Sequence, residues 1–105
     1  MLVNQVPDWA ELHHMANSMA SAAFEASAGQ DYYKIGTAAD IQYLASGGSD
    51  DWARGVAGIK WVYLIELPGK GHGFLLPPKW IKHVASSNMA GLRGLITAIS
   101  QTLPR

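Results

Sequence analysis

The sequence predicts an α/β unit in which two long helices flank one central strand taken from a larger sheet. Three observations carry this. A helix opening stands at Pro7-Asp8-Trp9-Ala10-Glu11, one run near residue 60 is apolar on both faces, and a second helical stripe follows Pro77-Pro78. In the opening, Asp8 is placed to cap the first free amides, with Glu11 three residues later where a capping box needs it. Leu12, Ala16, Met19, Ala20 and Ala23 then recur at helical spacing on one face. Gly29 suits the left-handed position that ends a helix.

A short extended piece is expected at Tyr32-Tyr33-Lys34-Ile35-Gly36, with a turn of helix over residues 38–41. Ser46-Gly47-Gly48-Ser49-Asp50-Asp51 reads as a loop that leads into one helical turn over residues 51–55, started by Ser49 or Asp50 and closed by Gly55. Lys60-Trp61-Val62-Tyr63-Leu64-Ile65-Glu66-Leu67 alternates nothing polar until its end, so it reads as a central strand covered on both sides. A turn rich in glycine follows, through Pro68, Gly69, Gly71 and Gly73. In the last helix Val84, Asn88, Leu92, Leu95 and Ile99 share a stripe, widened by Met89, Ile96 and Leu103. A strand apolar on both faces needs strand neighbours. Neither residues 33–36 nor residues 74–76 provide one of matching length, so residues 1–105 read as one partial domain.

Composition narrows the partners. The 105 residues are 49% hydrophobic and 15% charged, with eight Lys plus Arg against eight Asp plus Glu. That balance, with no basic run, argues against nucleic acid and against an anionic membrane surface, both of which select clustered positive charge. The chain has no cysteine, which removes disulfides and thiolate metal sites. The first residues lack the basic start and apolar core of a signal peptide.

The residues with chemical potential each have an ordinary reading when taken alone. Glu66 marks a strand's exit into solvent, Tyr43 is a half-buried aromatic with its hydroxyl in water, and Asp50 or Asp51 starts a helix. Together they look different. Tyr43-Leu-Ala-Ser-Gly-Gly-Ser-Asp-Asp-Trp52, then Gly58-Ile-Lys-Trp-Val-Tyr-Leu-Ile-Glu-Leu67, then Gly73-Phe-Leu-Leu-Pro77 resembles the C-terminal third of the pancreatic-type zinc carboxypeptidases A and B. Order and approximate spacing agree in all three blocks, with an extra residue within residues 54–58 and a shorter turn over residues 68–73.

The resemblance implies the C-terminal portion of the zinc carboxypeptidase fold, a mixed sheet flanked by helices. It makes Glu66 the catalytic glutamate that deprotonates a zinc-bound water and hands a proton to the leaving amine. Such a carboxylate, at the end of an apolar strand, is expected to lose hydration. Tyr43 becomes the tyrosine that swings over the substrate's terminal carboxylate, beside a Gly47-Gly48 pair that gives its loop freedom. Asp50 takes the floor of the pocket for the substrate's last side chain, where an acidic residue goes with C-terminal Lys or Arg, and Ala38 leaves that pocket depth. Leu64 is bulkier than the residue the family usually has there, and Asp50 as a helix cap stays an alternative.

The zinc ligands and carboxylate-clamping arginines of the family lie upstream of the region represented. None of His13, His14, His72 and His83 is followed by Glu at the third position, and His13 and His14 point apart on their helix. All four read as surface or structural histidines, so zinc is expected in the complete family enzyme and not on this chain. Peptide C-termini are the implied substrate, the missing N-terminal portion an implied partner, and the implied localisation is extracellular. The alternative is a non-catalytic binding or decoy module that docks through an uncovered strand edge.

Overall fold

The computed structural model describes residues 8–36 and 48–103. Helix α1 spans Trp9–Ala26, α2 spans Ser49–Gly55, and a 3₁₀ turn at Pro78–Trp80 leads into α3, Ile81–Ser100. The helical turn expected at residues 38–41 lies outside the described residues.

Helix α1 starts where the sequence places it, but Asp8 does not cap it by a side-chain hydrogen bond. Its carboxylate pairs instead with Arg54 of α2, while Glu11 pairs with Lys60 at 2.9 Å. The charges expected to form a capping box therefore hold the following segments against the helix start. The helix ends on two crossed backbone bonds. Gly29 N–H donates to the Phe24 carbonyl at 2.7 Å, and Ala28 N–H donates to Glu25 at 3.1 Å. This Schellman arrangement puts Ala28 at φ 54° and Gly29 at φ 80°. Gly29 adopts that region freely, whereas Ala28 does so at a steric cost.

The core lies between α1 and α3. Leu12, Met15, Met19 and Ala23 are buried from α1, and Val84, Ser87, Gly91 and Leu95 from α3. The buried face of α3 is rotated from the expected stripe: Ser87 and Gly91 occupy it, while Met89 and Ile96 are exposed. Small residues decide this, because they let the two backbones approach. A Cβ on Gly91 would stand 3.1 Å from Met19 and 3.3 Å from the Ala23 Cβ. One on Gly94 would stand only 2.7 Å from the Ala22 Cβ. The buried apolar side chains of this pair each contribute about 1.5–3 kcal/mol by leaving water.

The α/β expectation is overturned. Among the described residues there is no β-strand and no sheet: the chain is helical, and residues 61–69 run without a ladder. A strand exists only through backbone pairing with a neighbour, and no described segment offers one to this run. Its side chains do the packing. Trp61, Tyr63 and Ile65 lie against the Met15, Met19 and Leu95 cluster, joined there by Tyr33. Leu64, Glu66 and Leu67 are exposed, Leu64 to 60%. The expected cover on both faces is thus present on one face only.

Candidate functional site

A cavity of about 280 Å³ lies between the apolar face of α1 and the two segments running past it, residues 32–36 and 62–68. From α1 come Leu12, Ala16, Met19 and Ala20, the periodic face read from the sequence, with Trp9 and His13 towards the helix start. Leu95 reaches it from α3. The Trp9 and His13 rings lie 4.9 Å apart with their planes tilted by 32°.

Asp50 and Glu66 both line this cavity. They arrive from separate elements, Asp50 from the first turn of α2 and Glu66 from the extended run. Asp50 makes no cap: the residue in the cap position is Gly48, and α2 has no side-chain cap bond. Glu66 is exposed, so the loss of hydration expected for it does not occur among the described residues. Tyr43 and Ala38 lie outside the described residues.

The segment carrying Glu66 is tied to α1 three residues earlier, where the Tyr63 hydroxyl donates to the Leu12 carbonyl at 2.9 Å. Burial pushes the Tyr63 phenol up to about 12, helped by Asp8 and Glu11 and opposed by Arg54. Burial likewise raises the Tyr33 phenol above its ordinary value. Tyr33 Oη and Trp9 Nε1, both on residues lining the cavity, are buried without a hydrogen-bond partner among the described residues. These aromatic walls escaped the sequence reading. The signal was faint: a Tyr32-Tyr33 pair directly after a helix stop, and a tyrosine in place of an aliphatic residue at position 63.

All four histidines are among the described residues, distributed over α1, the glycine-rich turn and α3. No group of three or more His, Cys, Asp or Glu among the described residues comes together to hold a metal ion. No described helix is long and apolar enough to cross a membrane.

Comparison with known proteins fits the motif blocks. A family model described as Zinc carboxypeptidase matches residues 3–91. The chain belongs to the zinc carboxypeptidase family. Carboxypeptidase B of Astacus astacus is 34% identical over 96 residues, covering 90% of this chain and 31% of the relative. Carboxypeptidase A4 of Mus musculus is 35% identical over 102 residues, 96% of this chain and 24% of the relative. Carboxypeptidase A2 of Mus musculus is 43% identical over 65 residues, 61% of this chain and 15% of the relative. The chain thus spans less than a third of the length of each of these relatives. Family and ligand set disagree here: the family is named for zinc, and the described residues do not fit a zinc site.

Proposed function

We propose that residues 1–105 form the C-terminal portion of a carboxypeptidase catalytic domain that hydrolyses C-terminal peptide bonds. The observation that carries this is that Glu66 and Asp50, distant in sequence, line one cavity in a chain of this family. In this reading Glu66 acts as general base towards the attacking water, which its exposed position on the cavity lining permits. Tyr43 contacts the substrate's terminal carboxylate as a neutral donor. Asp50 selects a C-terminal Lys or Arg, because a carboxylate beside apolar walls is best compensated by a substrate cation. Ala38 leaves room for the stem of that side chain. The zinc ligands come from residues outside this sequence, so the chain alone is inactive, and the complete protein acts extracellularly.

The test is a chimera in which residues 1–105 replace the matching portion of the Astacus astacus carboxypeptidase B. The chimera should release C-terminal Lys and Arg. Glu66→Gln should lower its kcat by roughly 10²–10⁴-fold. Asp50→Ile should move the preference towards apolar C-terminal residues. A chimera whose activity survives Glu66→Gln rules the assignment out, as would stoichiometric zinc binding and hydrolysis by the isolated chain.

One observation favours a second reading, a non-catalytic module that docks to a partner chain. Leu64, Leu67, Phe74 and Leu75 are all exposed along the segment around Glu66, Phe74 completely. A chain that stays monomeric at millimolar concentration, and that does not associate with the upstream portion of a relative, would remove this reading.

A further inference from the structure

A second polar cluster lies away from the cavity, centred on Asp31, whose side chain is fully buried. The Lys70 ammonium pairs with Asp31 Oδ1, and the Ser87 hydroxyl of α3 donates to Oδ2. His83 Nε2 stands 3.4 Å from the same Oδ2. The Asp31 backbone N–H donates to Ser27 Oγ at 2.8 Å, at the end of α1. Asp31 therefore joins the end of α1 through its backbone N–H, and the first half of α3 and the turn that follows Glu66 through its carboxylate.

Lys70 is the telling member. It sits between Gly69 and Gly71 at φ 54°, a conformation that glycine adopts at less cost than lysine. Holding a lysine in that conformation carries a steric cost, which the contacts of its side chain are placed to offset. Its ammonium reaches Asp31 and also lies 5.6 Å from the Trp80 ring, and only 11% of the side chain is exposed. Glu66, four residues earlier, belongs to a run with no ladder among the described residues, so side chains have to fix it. Tyr63 holds the run on one side of Glu66 and Lys70 holds it on the other.

We propose that Asp31 is a positioning residue, which acts through Lys70 to fix the segment carrying Glu66 against the helical pair. The functional meaning of that position rests on the role given to Glu66 above, whereas the positioning itself does not.

The chain has no cysteine, so pairs of spin labels can be introduced cleanly. One pair, Leu67→Cys with Met89→Cys, reports the segment relative to α3. A control pair, Glu25→Cys with Met89→Cys, reports the two helices alone. All three positions are exposed. Lys70→Met should broaden the distance distribution of the first pair by about twofold or more and leave the control pair unchanged, as a local opening does. Asp31→Asn should do the same, the double variant should be no broader, and Lys70→Arg should restore the narrow distribution. An unchanged first pair in Lys70→Met overturns the proposal, and so does equal broadening of both pairs, which is what a general core defect produces. Should Asp31→Asn fail to fold, the Lys70 variants still decide the matter. Glu66→Gln should leave both distributions unchanged, so a failure of the catalytic reading is visible separately in the chimera's activity.

Discussion

The helical pair and the segment carrying Glu66 are held by different physics. Helices α1 and α3 satisfy their backbones internally and meet through small residues, so their association needs nothing beyond shape and burial. Residues 61–69 have no such internal bonding, and what holds them is a few side chains: Trp61, Tyr63 and Ile65 on the core, and Lys70 on Asp31. Glu66 thus sits on the part of the molecule with the fewest ties, outside the helical core that supports it. The exposed Leu64, Leu67 and Phe74 belong to the same weakly held region.

This contrast can be broken most forcefully at the helix crossing. Gly94→Val places methyl groups where even a Cβ meets Ala22 at 2.7 Å, and neither backbone can yield without separating the helices. A loss of about 3 kcal/mol is expected in urea unfolding, despite the general gain on removing a helical glycine. The segment should answer less strongly. Tyr63→Phe removes one hydrogen bond to the Leu12 carbonyl and should cost about 1 kcal/mol.

The same variant tests a pH dependence. With its phenol raised from 10.0 to about 12, folded Tyr63 keeps its proton where the unfolded chain releases it. Its contribution is complete below pH 10 and is lost as pH rises towards 12. Subtracting the Tyr63→Phe unfolding curve from that of the parent should show this loss, and a pH-independent difference would refute it.

Two smaller effects sharpen the comparison. Ala28→Gly relieves the left-handed strain at the end of α1 and should raise stability by up to about 1 kcal/mol, seen as a higher Tm. Phe74→Ser, at a fully exposed position, should change stability by less than about 0.5 kcal/mol. It should weaken concentration-dependent association, if sedimentation detects any in the parent.

Much of the helical frame was legible because its signals are local. Pro7-Asp8 and Gly29 bracket α1, Pro77-Pro78 precedes α3, and Leu12, Met19 and Ala23 fall on the buried face as their spacing requires. The motif blocks were equally legible, and they identify the family. Asp31 was not, since nothing nearby in sequence shows that Lys70, His83 and Ser87 will converge on it.

The sequence by itself determined that two long helices lie on either side of the middle segments and to which family the chain belongs, because periodicity, helix breakers and motifs are properties of neighbouring residues. Only the tertiary structure decided which face of α3 is buried, that residues 61–69 form no strand among the described residues, and that Asp50 and Glu66 share a cavity. The physical reason is common to all three. Close packing at Gly91 and Gly94, backbone pairing and the convergence of charges each depend on a partner distant in sequence, and the local pattern does not specify that partner.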